Sequence, residues 1–172
     1  MHRCLLEKLL KEAEGFPELE QYAQLFLLSY AFLLRVPSEA IPVQAWAGRC
    51  SLEVTDDRLT LRLHRRKNKP EGSVLTRTCW CRESPATCPL HKLGPVVRAL
   101  RSGAFVFPDV TSDKARRALK YLLIRVGVED AGEYRLHDLR RGHGKDLQMS
   151  GEANQKILHV LEQLHGCRRS TL

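Results

Sequence analysis

The stretch LHDLRRGHGKDL, residues 136–147, decides how the rest of the chain is read. His137 and Arg140 stand three apart, which places both on one face of a helix close to its start. Backbone amides at a helix start favour an anion, so a phosphate would sit well against this pair. The plainer reading is a solvated basic helix end with Asp138 as a cap, and the HxxR spacing by itself does not separate the two.

Working upstream, the apolar segment SYAFLLRVPSEAIPV delivers one arginine, Arg35, directly after two leucines. A charge in such a setting is seldom buried without a partner. Either Glu39 or another acid neutralises it, or it points into a site for an external anion. Between Arg35 and the late helix lies RRKNKPEGSVL, residues 65–75, a basic turn following a strand. Lys67 and Lys69 are placed to reach over a bound backbone, although a charge run of this kind is also common as a solvated loop.

The surrounding pattern is α+β and mainly helical. Leu5, Leu6, Leu9 and Leu10 recur at helical spacing, and Leu19, Tyr22, Phe26 and Tyr30 do so again, with Gly15 and Pro17 as punctuation. Residues 51–54 and 59–64 alternate apolar and polar on either side of Asp56-Asp57, two strands joined by a turn. Residues 72–78 supply a third, which makes a small antiparallel sheet. A short helix is expected over 95–100 and a short apolar segment over 104–107. Ser112 then opens a longer helix with the apolar stripe Ala115, Leu119, Leu122, Leu123 and Val126, leaving Lys114, Arg116, Arg117 and Lys120 largely off it. Residues 137–147 and 153–164 read as two more helices parted by Ser150-Gly151. With no internal repeat and no second composition regime, one domain over 1–172 is expected.

The chain has 172 residues and a formal charge of +8 from 28 Lys and Arg against 20 Asp and Glu. That balance favours a polyanionic partner such as nucleic acid. No apolar run is long enough for a membrane span, and the N-terminal MHRCLLEKLLKEAEG lacks the features of a signal peptide. An intracellular location is expected, nuclear if the host is a eukaryote. Of six cysteines, Cys79, Cys81 and Cys88 cluster with His91 in CWCRESPATCPLH, a grouping that suits metal or free thiols better than a secreted disulfide framework. The four form a complete Cys3His set for a structural zinc, with no open coordination position. The alternative is reduced cysteines packed as small hydrophobes. Trp80, inside the cluster, either stacks on a base or covers the core of the small loop.

An arginine ending an early helix, a lysine in a central hairpin and a late HDLRRxH helix together resemble the catalytic domain of the tyrosine recombinases, the phage-integrase type. The likeness is greatest to the eukaryotic branch associated with mobile elements, where a cysteine-rich insertion follows the hairpin and the late motif reads HDLRRGH. It extends over residues 18–158. The resemblance implies an integrase-like, mainly helical catalytic domain that binds double-stranded DNA, with more than one copy assembling on it and no cofactor required. In the family, two arginines and the HxxR histidine grip the scissile phosphate, a hairpin lysine protonates the leaving 5′ oxygen, and a tyrosine attacks to form a 3′-phosphotyrosyl link. Carried onto this chain, the first arginine is Arg35, the lysine is Lys67 with Lys69 as the alternative, the histidine is His137 and the second arginine is Arg140. Arg65, Arg66, Lys69, Arg141 and His143 are the further residues expected on DNA. Guanidinium forks neutralise the extra charge of a pentacovalent phosphorane, and lysine is a suitable proton carrier for an alkoxide.

The tail departs from the family pattern. Counted without a gap from Ser150-Gly151, the next phosphate ligand, a histidine or tryptophan, falls on Gln163, and the nucleophilic tyrosine falls on Thr171. Sliding the alignment brings His165 or Cys167 to the ligand position and carries the tyrosine past Leu172. The four tyrosines, Tyr22, Tyr30, Tyr121 and Tyr134, all precede the HxxR segment. Strand cleavage by this chain alone is therefore not expected, and the family's separate N-terminal DNA-clamping domain is also missing. A non-catalytic, domesticated DNA-binding module and a zinc-stabilised interaction domain meeting acidic proteins are the competing expectations.

Overall fold

The computed structural model describes residues 1–66 and 69–149. Lys67, and the expected helix over 153–164 with Gln163, His165, Cys167 and Thr171, lie outside the described residues.

Two helices open the chain, as their leucine spacing requires. α1 (Arg3–Ala13) is amphipathic and buries Leu6, Leu9 and Ala13. Gly15, at φ 81°, turns the chain into α2 (Pro17–Ala31). Pro17 opens α2 at the position where a missing amide costs nothing. From Ala23 to Ala31 nearly every residue of α2 is buried, Tyr30 and Ser29 included. A helix apolar all round belongs in the centre of a domain, and α2 packs against α1, α3, α4 and α5.

The exit from α2 sets up the site. Leu34 N–H donates to Ser29 O, and Leu33 N–H to Tyr30 O, the paired bonds of a Schellman ending. Glycine usually takes the left-handed position of that motif. Here Leu33 takes it at φ 55° with its side chain buried, so apolar burial offsets the backbone cost of about 1 kcal/mol. The next residue but one is Arg35, followed by a single π-helical turn, Val36–Ala40.

The sheet has four strands in the order β1 (Gln44–Ala45), β2 (Cys50–Val54), β3 (Arg58–Leu63) and β4 (Ser73–Thr78). β2, β3 and β4 are antiparallel as expected. β1 runs parallel to β2, so the sheet is mixed rather than wholly antiparallel. Arg77 of β4 ties the sheet to the end of α2, donating to Ala31 O at 2.7 Å with its guanidinium 5.3 Å from the Phe32 ring centre. α3 (Pro89–Ala99) covers β2 and β3 and begins well before the short helix read at 95–100. α4 (Ser112–Arg125) is capped by Thr111, whose hydroxyl accepts from the Lys114 amide. Its buried stripe leaves Lys114, Arg116, Arg117 and Lys120 exposed, as the sequence pattern predicts. α5 (Leu136–Met149) carries the HxxR pair.

One hairpin glycine is structurally required. Gly72 has φ +84°, and a Cβ there would land on the carbonyls of Leu63 and His64. Gly72→Ala should therefore destabilise the domain by more than about 1 kcal/mol. Thermal melting checks this, and an unchanged midpoint would show that the turn can relax.

Candidate functional site

Two arginines from distant parts of the sequence, Arg35 and Arg66, hold Glu39, and a third, Arg140, lies within electrostatic reach of all three. The π-turn brings the Glu39 carboxylate back onto Arg35: its Oε2 accepts from the Arg35 amide at 2.8 Å, and its Oε1 lies 3.7 Å from Arg35 Nη1. The same carboxylate is gripped more closely by Arg66, through Nε at 3.1 Å and Nη2 at 3.3 Å. Arg66 is 6% exposed and Glu39 3%, so this pair is out of bulk water, and Arg66 Nη1 is buried with no hydrogen-bond partner among the described residues. Arg140 completes the group. Burial lowers its pKa, the charges of Arg35 and Arg66 lower it further, and Glu39 opposes them.

Glu39 shows the same balance from the other side. Burial alone would raise its carboxyl, but hydrogen bonds from Arg66 and the Arg35 amide, with the two guanidinium charges, hold it below the ordinary value. The acid expected to neutralise Arg35 is therefore shared. Among the described residues, two guanidiniums pair with one carboxylate while a third feels their charge, and the surplus positive charge in a partly dehydrated site fits an external anion.

The other sequence-predicted residues divide. His137 is exposed in the first turn of α5, and Asp138 accepts from the Arg135 amide at 2.8 Å, the carboxylate half of a capping box. Asp138 therefore caps the helix, leaving the histidine open to solvent. Arg65 and Arg141 are exposed and Lys69 half-buried, while Lys67 falls outside the described residues. Arg66, expected among the exposed basic residues of the turn, is instead buried on Glu39.

His143 also differs from its expected place on DNA: it is 8% exposed. Its ring meets Tyr30 edge-on at 4.8 Å and stacks on Trp80 at 6.0 Å. Burial, then the Arg77 charge, pushes its pKa down to about 4, so the imidazole is neutral at physiological pH. Gly142, between Arg141 and His143, has a packing reason. A Cβ there would occupy the Met1 backbone, whose amino group donates to Asp138 O at 3.0 Å. Tyr30 donates to Asp146 at 2.6 Å, and burial followed by that bond raises its pKa.

The cysteine cluster is assembled. Cys79 and Cys81 follow β4, Cys88 is the N-cap of α3, and His91 lies in that helix's first turn. His91 Nδ1 is 3.6, 3.1 and 3.3 Å from the sulfurs of Cys79, Cys81 and Cys88. Cys79 and Cys88 sulfurs are 3.9 Å apart, and all four donor atoms lie within 4.8 Å of one another. A tetrahedron with Zn–S of ~2.3 Å and Zn–N of ~2.0 Å has edges of roughly 3.5–3.8 Å. The set therefore fits a tetrahedral metal ion and could bind one. Desolvation, then its bonds to Cys79 and Cys88, pushes the Cys81 thiol up. Trp80 covers this loop, donating from Nε1 to Thr87 O at 2.8 Å.

The sharing of Glu39 with a buried Arg66, and the stacking of Trp80 on His143, are the parts that sequence reasoning missed. Glu39 itself was signalled by its place four residues after Arg35. No described helix is long and apolar enough to cross a membrane.

Neither a protein-family model nor a curated protein matches the chain. Among solved structures, the site-specific recombinase XerH, crystallised with its difH substrate in a pre-cleavage complex, has the same fold, with a TM-score of 0.65 and 13% sequence identity. The match covers 99% of this chain and 47% of XerH, so the chain spans about half the length of that protein. The α-rich architecture with its small mixed sheet is the fold shared with that part of XerH.

Proposed function

From a chain with the fold of a tyrosine recombinase, we propose a DNA recombination or integration domain that binds duplex DNA through its phosphate backbone. The ancestral reaction of the site is strand cleavage and religation through a 3′-phosphotyrosine. The observation that carries this reading is the pairing of Arg35 and Arg66 with the single carboxylate of Glu39, with Arg140 within reach of their charges. In it, Arg35 and Arg140 hold the scissile phosphate with His137, and Lys67, with Lys69 as the alternative, supplies the proton to the leaving oxygen. Arg65, Lys69 and Arg141 contact the flanking backbone. The likeness to XerH supports a DNA partner, and more than one copy is expected on each DNA molecule.

As the second reading, the chain is a DNA-binding module of the mobile-element type that does not itself cut, in which Tyr30 is a buried structural residue with its hydroxyl committed to Asp146. Binding to a mixed-sequence duplex measured across a salt series tests the shared premise. The logarithm of affinity should fall steeply against the logarithm of salt, by about 0.9 for each phosphate neutralised. A slope near zero would reject both readings in favour of a domain that binds acidic proteins.

The ion proposed for Cys79, Cys81, Cys88 and His91 is a structural zinc, since four protein ligands leave no position for substrate. The purified chain should carry one zinc, and Cys88→Ser should lower both zinc content and melting temperature. Full stability of that variant without metal would rule the site out.

A further inference from the structure

We propose that the metal loop is a positioning device for α5: by fixing Trp80 against His143, an ion held by Cys79, Cys81, Cys88 and His91 sets Arg140 in place, so that metal occupancy governs how tightly DNA is bound. This inference rests on the phosphate and zinc readings above and adds a link between them.

The link is continuous. Trp80 lies between two thiol ligands in sequence, and its indole N–H is tied to Thr87 O, the residue before the third thiol. Its ring therefore moves with the metal cluster. The opposite partner in the stack is His143, with ring planes 24° apart at 6.0 Å. His143 follows Arg140 by three residues on α5, so the two share one side of the helix. Tyr30 closes the other side of the imidazole at 4.8 Å, edge-on, and binds Asp146, three residues further along α5. The helix bearing the second arginine is thus held between the central helix and the metal loop.

The loop has little regular secondary structure of its own. Between β4 and α3 it contains one 3-10 turn, Pro85–Thr87, which packs on α1 with Ser84 and Thr87 buried. Beyond that it has an Arg3–Glu83 ion pair at 3.7 Å, a Ser84–Thr87 hydroxyl bond at 2.7 Å and a few backbone bonds, the amides of Glu83 and Ser84 to Trp80 O and of Cys88 to Pro85 O. A loop of this kind gains most of its order from a cross-link, which a four-coordinate ion supplies. Guanidinium recognition of a phosphate depends on direction as well as charge. A site must be held within about 0.5 Å to keep such geometry, so a slack Trp80 would loosen Arg140 without removing any charge.

The test uses the full zinc-loaded chain and a mixed-sequence duplex. Trp80→Ala should retain its zinc and helix content, and show unaltered visible bands after cobalt substitution, yet bind DNA about tenfold more weakly. Trp80→Phe, which keeps a stacking ring, should restore most of the affinity. His143→Ala should behave like Trp80→Ala, and removal of metal by a chelator should weaken DNA binding in folded protein, reversibly on adding Zn2+. Wild-type affinity for folded, zinc-loaded Trp80→Ala, or equal loss in Trp80→Phe, overturns the link while leaving both underlying readings intact. If Arg140→Ala binds as wild type, the phosphate reading falls and the link with it. If no zinc is bound, the metal reading falls and takes the link too. A Trp80→Ala chain that unfolds hands the decision to His143→Ala, judged by the same criterion.

Discussion

Replacing Arg140 by alanine should weaken duplex DNA binding by roughly tenfold to a hundredfold, the range expected when hydrogen bonds to a charged group worth about 1.5–3 kcal/mol are lost. Arg140 is half-buried on α5 and faces Arg35 and Arg66 as like charges. Removing it takes away a fork already desolvated for an anion, while the fold loses a group that repelled its neighbours. Stability should therefore hold or rise slightly as affinity falls, a combination that a misfolded variant would not give. The salt dependence should also become shallower by about one phosphate contact. Arg35→Ala should follow the same direction. Arg125, exposed and paired with Glu12 at 2.7 Å at the end of α4, provides the control. Equal affinities for Arg140→Ala and Arg125→Ala would remove the arginine group from the binding site.

Glu39→Gln should produce the largest loss of stability, about 3–5 kcal/mol, because breaking a buried ion pair from one side leaves the other charge uncompensated. Arg66 would then be buried with neither an acid nor water, and Arg35 and Arg140 would lose the only opposing charge evident among the described residues. The pH dependence follows from the lowered carboxyl of Glu39. The unfolded chain binds that proton more readily than the folded one. The stabilisation is therefore present above the ordinary carboxyl value of 4.5 and is lost as pH falls through the lower folded value. Denaturant midpoints measured from neutral pH downward should show this decline in the parent chain and a flatter one in Glu39→Gln. If the parent and Glu39→Gln decline in parallel, Glu39 does not carry the effect.

The sequence made the helices legible because their burial is periodic. α1, α2 and α4 follow their leucine and alanine spacing, and α5 lies where the HxxR segment predicts it. Arg35 was legible as an anomaly, a charge at the end of an apolar helix. Arg66 was not, because RRKNK has the composition of a solvated turn and its burial depends on Glu39, 27 residues earlier. His143 and Trp80 were each read alone, since two aromatic rings 63 residues apart give no local sign that they stack. β1 is two residues long and parallel, too short to have a period. The start of α3 at Pro89 was hidden in the cysteine motif, which supplies the N-cap as well as the ligands.

The π-turn at Val36–Ala40 gives the arginine group an unusual kind of vulnerability. A wide turn contains one residue more than an α-helical path over the same span, and within it both the amide and the guanidinium of Arg35 address the one carboxylate of Glu39. Site chemistry is usually discussed in terms of which residue stands at which position. In this segment the tally of residues matters as much as their identity. Deleting one between Arg35 and Glu39 would change no charge and remove no ligand, but it would swing everything beyond by about 100° around the local axis and turn the carboxylate away from Arg35 and Arg66. Along this stretch, divergence by substitution is open to the chain in ways that divergence by insertion or deletion is not.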